Sequence, residues 1–174
     1  LNDIFSMPDD IQKRSFAGFM MRYHPLVRYL AEMNFEDLYN FNVKIGQNIN
    51  DWRENWKFSE SYAASKSGGG VLLDLCHEID LAFLLSNSLS IKEIFSIGHK
   101  DFNGVDICSS VFLSSKLGLT CSITMDYIAP QLIRAGNIST SKKYIEYDLV
   151  KSSIKEITKD DIGEKNFNID RNQI

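Results

Sequence analysis

Two neighbouring segments of alternating apolar and polar residues, 105–113 and 117–125, constrain the fold of this chain more than any other feature. A period of two is the repeat of a half-buried β-strand, and the short link Ser115-Lys116 between the segments predicts a hairpin. One face of the hairpin is apolar, whereas the other carries mostly Ser, Thr and Asp in place of the Lys and Glu of a solvated sheet. We therefore expect this second face to be either wet or paired with another subunit.

The rest of the chain is predicted to place helices before a run of strands. Helical spacing over 24–33, with Pro25 in the first turn, predicts a short amphipathic helix, and a second helix is expected over 70–85. An aromatic, polar loop is expected over 50–67, and the polar residues 159–173 close no visible element. Further strands are expected near 39–49, 91–98, 133–139 and 144–150. Because these strands are not separated by helices, the sequence predicts an α+β fold: an open, mainly antiparallel sheet with helices packed on one face.

Composition excludes several classes of protein. The chain has 174 residues, of which 44% are hydrophobic, and a chain of this size buries a core without a disulfide or a structural metal. Nineteen basic and 23 acidic residues give a net charge of -4 without a basic cluster, so no nucleic-acid partner is expected. No apolar run reaches the ~20 residues of a membrane span. The three cysteines form no Cys-x-x-Cys pair, which is typical of buried, reduced thiols. No signal peptide is visible, and we therefore expect a cytoplasmic protein.

The densest set of chemically active residues follows the three glycines at 68–70. His77 lies on the second predicted helix, with Asp74 three residues before it and Asp80 three residues after it. Residues three apart share a helix face, so either carboxylate could hold one imidazole nitrogen and favour the charged imidazolium, as in a general acid/base. The alternative is a solvated or capping histidine after a tight turn. The glycines lack the Gly-x-Gly-x-x-Gly spacing of a dinucleotide-binding loop, and position 81 is not the second His of a zinc protease, so no metal is expected.

An ordered series of short motifs extends on both sides of these glycines. The motifs are Arg22-Tyr23-His24-Pro25, Gln47, Asp51-Trp52-Arg53, Glu60-Ser61-Tyr62-Ala63-Ala64, Lys66, the run GGGVLLDLCHEID from Gly68 to Asp80, and Asp126-Tyr127. In this order they resemble the second domain of the Gfo/Idh/MocA oxidoreductases, the relatives of glucose-fructose oxidoreductase and inositol dehydrogenase. The resemblance covers residues 15 to 150, and the long central run is its most specific part.

The resemblance implies a two-domain, NAD(P)-dependent dehydrogenase of a sugar, a nucleotide sugar or a cyclitol. An N-terminal Rossmann domain would bind NAD or NADP, and the second domain would supply the substrate contacts. Residues 1–20 would be the end of that Rossmann domain and the crossover, with its last strand at 15–19, and residues 21–174 the second domain without its final helix. No dinucleotide is expected to bind this chain alone, which should be inactive. The polar sheet face would be the interface of a homodimer or homotetramer.

The resemblance also implies roles for single residues. The acid/base histidine of the family falls on His77, which would take the proton of a substrate hydroxyl. Asp74 matches the partner aspartate, although many members place it four residues before the histidine. The catalytic lysine of the family lies in a Glu-Lys-Pro segment upstream of the first residue of this chain. Substrate contacts are expected from Trp52, Arg53, Tyr62, Lys66 and Arg22.

Alternatives stay open for these residues and for the protein as a whole. Loop packing is the alternative for the four loop residues, and fixing the interdomain turn is the alternative for Arg22. Tyr127 and Arg134 could line the cleft or pack at strand ends. A non-catalytic binding or assembly module could keep the fold without the chemistry, and a stand-alone sugar-binding protein is a third possibility.

Overall fold

Eight strands form the centre of the computed structural model, which describes residues 6–15, 18–33, 35, 37–52, 54–86 and 88–169. They are β1 (Leu38–Gly46), β2 (Ser90–Gly98), β3 (Asp106–Ser114), β4 (Thr120–Asp126), β5 (Ile133–Thr140), β6 (Lys143–Asp148), β7 (Ser153–Thr158) and β8 (Ile162–Asn166). The strands build one open sheet in the order β2-β3-β4-β1-β5-β6-β7-β8. β1 and β4 run parallel, and the other neighbouring pairs are antiparallel. This confirms the predicted open, mainly antiparallel sheet.

Four helices lie in the described part of the chain, and the last three of them pack on one face of the sheet. They are α1 (Asp9–Gln12), α2 (Pro25–Glu32), α3 (Val71–Asp74) and α4 (His77–Leu85), and short 3-10 turns occupy much of the loop between β1 and α3. α2 starts where the sequence predicts, because Pro25 takes the first helical position and Nδ1 of His24 accepts a hydrogen bond from the N–H of Leu26 at 3.2 Å. Buried apolar side chains of α2, α3 and α4 join one core with the inner face of the sheet. The predicted α+β layer is confirmed.

The two faces of the sheet follow the alternation of the sequence. The inner face buries Phe41, Val43, Ile45, Val111, Leu113, Cys121, Ile123, Met125, Ile138, Ile145 and Ile154. On the outer face, the amide of Asn42 donates to Asn137 at 2.9 Å and accepts a hydrogen bond from Ser122. These contacts satisfy part of the polar face within the chain. A groove of about 710 Å³ runs along the same face, lined by residues of β1 and β4 to β8.

The second predicted helix is interrupted. Leu75 (φ −95°, ψ 32°) leaves helical geometry, so that 70–85 contains two helices, α3 and α4, instead of one. The N–H of Ile79 bonds to the carbonyl of Cys76 at 3.1 Å, a tighter spacing than that of an α-helix. The prediction of a continuous helix is therefore wrong, and the residues on either side of Leu75 do not share a helical face.

The last two strands were not predicted. β8 lies inside the polar stretch 159–173, for which no element is predicted, and all five of its residues are exposed. An edge strand that buries neither face has no need of an alternating apolar pattern, which is why the sequence gives no sign of it. The thiols are also less buried than expected: Cys121 is buried, but Cys76 and Cys108 are half-buried.

The predicted Rossmann strand at 15–19 falls partly outside the described residues. Ser15, Gly18 and Phe19 are not in a strand, and residues 16 and 17 are not described. Residues 170–172, which resemble the approach to a final helix, also lie outside the described part of the chain. None of the helices within the described ranges is long and apolar enough to cross a membrane.

Candidate active site

The three glycines form a tight turn that sets the start of α3. Gly70 has φ +90°, and its N–H donates to the carbonyl of Ala63 at 2.9 Å. Oδ2 of Asp106 accepts hydrogen bonds from the N–H of Leu72 at 2.8 Å and from the hydroxyl of Ser109 at 3.1 Å. A carboxylate of the chain itself therefore occupies the position that an anion would take at this helix start. The turn does not fit the pyrophosphate of a dinucleotide, in agreement with the missing Gly-x-Gly-x-x-Gly pattern.

Two tyrosines hold the carboxylate of Asp74 at the end of α3. The hydroxyl of Tyr62 donates to Oδ1 at 2.6 Å, and the hydroxyl of Tyr127 donates to Oδ2 at 2.8 Å. Tyr62 is exposed, whereas Tyr127 is fully buried, and burial together with the bond to Asp74 raises the pKa of Tyr127. Each carboxylate oxygen thus has one fixed donor. Since a carboxylate offers about four acceptor sites, Asp74 keeps capacity for further hydrogen bonds.

We expect Tyr127→Phe to lower the free energy of unfolding by about 1.5–3 kcal/mol, because it removes a buried hydrogen bond to a charged group. Tyr62→Phe is the matched control, since the exposed Tyr62 makes a bond to the same carboxylate in competition with water. Its expected cost is below about 1 kcal/mol. Urea unfolding followed by circular dichroism measures both. Equal costs would show that burial does not strengthen the bond of Tyr127 to Asp74.

His77 takes the first position of α4 and is half-buried. Its ring packs edge to face on Phe19, with the ring centroids 5.8 Å apart. Nδ1 is buried and has no hydrogen-bond partner among the described residues. Burial and then the positive charge of Arg134 lower the pKa of His77, while Asp80 and Asp74 act in the opposite direction. The two aspartates thus favour the imidazolium as predicted, but burial and Arg134 outweigh them.

The predicted hydrogen bond from the imidazole to a carboxylate is not formed among the described residues. Asp74 binds the two tyrosines instead, because the helix break at Leu75 removes the spacing that would put it beside His77. Asp80 does share α4 with His77, but both of its carboxylate oxygens accept hydrogen bonds from Arg22. The catalytic roles of His77 and Asp74 remain predictions, and the two side chains are not linked by a hydrogen bond.

Arg22 clamps the crossing segment, the turn Met20–Tyr23, to α4. Its Nε and Nη2 lie 2.8 Å and 2.5 Å from the carboxylate oxygens of Asp80, which is 8% exposed. The guanidinium carbon also lies 5.7 Å from the centroid of Phe19, the ring that contacts His77. This geometry favours the turn-fixing alternative for Arg22 and leaves its contact with substrate a prediction.

A second ion pair, buried beside His77, was not predicted. Glu78 is 1% exposed, and its Oε1 accepts a hydrogen bond from Nε of Arg134 at 2.7 Å. The burial of Glu78 could have been predicted from the sequence, because its spacing to Leu81 and Ala82 puts the carboxylate on the apolar side of α4. Arg134 alternates with Gly136 and Ile138 on β5, which puts it on the inner face of the sheet.

The predicted loop residues are brought together only in part. The ring of Trp52 packs edge to face on Trp56 at 5.4 Å and on Tyr62 at 6.5 Å, so Trp52 lies near the tyrosine that holds Asp74. Lys66 is exposed on the same loop, and Arg53 lies outside the described residues. No group of three or more metal-binding side chains is found within the described ranges.

Comparison with known proteins gives a likeness of structure alone. The sequence matches no family model, and no curated protein matches it. The structure is similar to UDP-N-acetylglucosamine 3-dehydrogenase from Acidithiobacillus ferrooxidans (TM-score 0.70, 14% identity), with 88% of this chain and 47% of that chain covered. A 3-ketoreductase from Actinomadura kijaniata, in complex with TDP-benzene and NADP, gives a TM-score of 0.66 at 17% identity, covering 85% of this chain and 46% of that chain.

An inositol dehydrogenase homolog from Azotobacter vinelandii, in complex with NAD+, gives a TM-score of 0.70 at 10% identity, covering 85% of this chain and 42% of that chain. The chain thus spans less than half the length of each of these structures. At such identities the likeness establishes a shared fold and not a shared activity. The chain therefore has the fold of the C-terminal domain of the Gfo/Idh/MocA-type dehydrogenases, as the sequence resemblance predicted.

Proposed function

We propose that this chain is the substrate-binding part of an NAD(P)-dependent dehydrogenase that acts on a hydroxyl group of a sugar, a nucleotide sugar or a cyclitol. The observation that carries the proposal is the position of His77, a half-buried imidazole at the start of α4 whose pKa is lowered by burial and by Arg134. The names of the structural neighbours, which include a UDP-sugar dehydrogenase and an inositol dehydrogenase homolog, support the substrate class.

The proposed role of His77 is to take a proton from the substrate oxygen. Oxidation of an alcohol to a carbonyl removes a hydride from carbon and a proton from oxygen, and a neutral imidazole is suited to accept that proton near pH 7. Because burial and a nearby cation disfavour the imidazolium, the acceptor form of His77 is the resting form at neutral pH. The edge-on contact with Phe19 is proposed to help orient the ring.

Asp74 and the aromatic loop are proposed to bind the substrate. The carboxylate of Asp74, held by Tyr62 and Tyr127, has spare acceptor capacity for a second hydroxyl of a polyol. Trp52 packs beside Tyr62 and offers the flat apolar surface on which sugar rings stack. Lys66 and Arg53 are proposed to supply donors from the same loop, and Arg22 from the crossing segment.

The dinucleotide is proposed to bind to a separate domain of the protein. The glycine turn of this chain does not fit its pyrophosphate, since Asp106 fills the anion position there. The outer face of the sheet is proposed to form the interface of a homodimer or homotetramer. Its support is the polar row of Asn42, Ser122 and Asn137, and the adjacent exposed rings of Phe95 and Phe112. Three free cysteines are consistent with the cytoplasm.

The test is an assay of the protein that contains this chain, with NAD and NADP, on a UDP-sugar, a TDP-sugar and an inositol. We expect substrate-dependent reduction of one dinucleotide, and no turnover by the 174-residue chain alone. Turnover by this chain alone would contradict the assignment of the dinucleotide to another domain. A whole protein that binds neither NAD nor NADP would contradict the dehydrogenase proposal itself.

One observation favours a second candidate, a binding or assembly module without chemistry. Nδ1 of His77 has no hydrogen-bond partner in the described part of the chain, whereas the orienting group of a general base is usually a hydrogen-bonded carboxylate or carbonyl. Substitution of His77, argued in the Discussion, separates this candidate from the dehydrogenase.

A further inference from the structure

A buried ion pair lies next to His77, and the proposed function uses only the charge of its Arg134 and gives no role to Glu78. Glu78 directly follows His77 on α4, is 1% exposed, and binds Nε of Arg134 through Oε1 at 2.7 Å. Burial of a charged pair is costly, so an ion pair in this position is not explained by stability alone. Burial raises the pKa of Glu78, and Arg134 opposes that rise.

Arg134 is fixed from three elements. It extends from β5, it donates to Glu78 on α4, and its Nη1 lies 3.4 Å from the sulfur of Met21 in the crossing segment. Its side chain is only 22% exposed, so solvent screens its charge weakly. A guanidinium held in this way presents a constant positive charge to the groups around it.

The charged groups around His77 come from each element packed against it. Asp80 lies on α4 and is bound to Arg22 of the crossing segment, Asp74 lies on α3, and Arg134 comes from β5. The pKa of His24, the residue before α2, is lowered first by burial, and the guanidinium of Arg134 contributes to this lowering. Arg134 is thus the group through which β5 acts on both histidines.

We propose that Arg134 and Glu78 form a positioning pair for His77, in which the buried Glu78 holds the guanidinium at the start of α4, one residue along the chain from the imidazole. The pair does not touch the substrate and acts through His77. Its catalytic benefit rests on the proposed function of His77, because a base must be free of its proton to accept another. The electrostatic effect itself concerns only residues of this chain.

The experiment is an NMR titration of the three histidines in the 174-residue chain, with His24, His77 and His99 assigned by single His→Gln variants. Arg134→Met removes the positive charge, and we expect the pKa of His77 to rise by about one pH unit. Glu78→Gln keeps the hydrogen-bond acceptor but leaves Arg134 uncompensated, so we expect the pKa of His77 to fall. Lys44→Met, which removes an exposed cation from the outer face of the sheet, is the control and should cause no shift.

Shifts of opposite sign in the pKa of His77 distinguish an electrostatic effect of the pair from a purely structural contact. Both variants break the same ion pair, so general loosening of the site would move the pKa of His77 in one direction in both. Equal signs, or no shift in either variant, would overturn the proposal.

Arg134→Met leaves a buried carboxylate unpaired, so a fallback guards against its failure to fold. The double variant Glu78→Gln/Arg134→Met is compared with Glu78→Gln, and a rise in the pKa of His77 is again expected. Absence of that rise would overturn the proposal. The titration does not depend on turnover. If the protein fails the dinucleotide assay but the two variants shift the pKa of His77 in opposite directions, the proposed function is overturned and the positioning pair stands.

Discussion

His77→Asn is expected to lower kcat/KM for dinucleotide reduction by about 10²- to 10⁴-fold in the protein that contains this chain, the usual contribution of a positioned general base. Asn keeps a polar, planar side chain at the start of α4 but cannot accept the hydroxyl proton at neutral pH. The wild-type protein should also lose activity as the pH falls, when His77 becomes protonated. Since the pKa of His77 is lowered, this loss should set in below the ordinary histidine pKa of about 6.5.

His99→Asn is the matched control. His99 precedes the turn Lys100–Phe102, and its Nδ1 accepts a hydrogen bond from the N–H of Asp101 at 3.3 Å, a contact that Asn also makes at such positions. It lies outside the proposed site, so we expect its substitution to leave turnover and the pH profile unchanged. Wild-type turnover in His77→Asn would rule out the acid/base role of His77.

The strands β1 to β6 could be predicted, including the exposed edge strand β2, whereas β7 was missed although it buries Ile154 on the inner face. The hairpin of β3 and β4 shows the strongest alternation, and the structure pairs Leu113 with Cys121 and Val111 with Ile123 on the inner face. β8 could not be predicted in the same way, because a polar, exposed edge strand is specified by pairing with its neighbour and not by its own pattern. The sequence therefore defines β1 to β6 better than the end of the sheet formed by β7 and β8.

The arrangement of Asp74 and His77 in the candidate site could not be predicted from their spacing in the sequence. The spacing of Asp74 and His77 predicts a shared helical face. The helix is interrupted between them at Leu75 and Cys76, and neither residue is the Gly or Pro that would indicate an interruption. The direction of Asp74 is decided by Tyr62 and by Tyr127, which is 53 residues away in the chain. The hydrogen-bond partners of Asp74 are therefore set by tertiary packing, which no local sequence pattern indicates.

Gly70→Ala is the stability change with the largest expected effect. A methyl group at position 70 would overlap Oδ1 of Asp106, and φ +90° is a backbone conformation that residues with a side chain rarely adopt. Asp106 would have to move, and its hydrogen bonds to the N–H of Leu72 and the hydroxyl of Ser109 would weaken. Backbone strain of 1–3 kcal/mol and these bonds together give an expected loss of about 3 kcal/mol in the free energy of unfolding.

Gly163→Ala on β8 provides the matched comparison. A methyl group there meets no atom within 4 Å, and we expect a change within about 1 kcal/mol in urea unfolding. Because Gly70 sets the start of the helix that ends in Asp74, the loss in Gly70→Ala should also loosen the two tyrosine bonds to that carboxylate. Combining Gly70→Ala with Tyr127→Phe should therefore cost less than the sum of the two single changes. Additive costs would mean that the glycine turn and the Asp74 site are independent, and that the turn serves the fold without positioning the carboxylate.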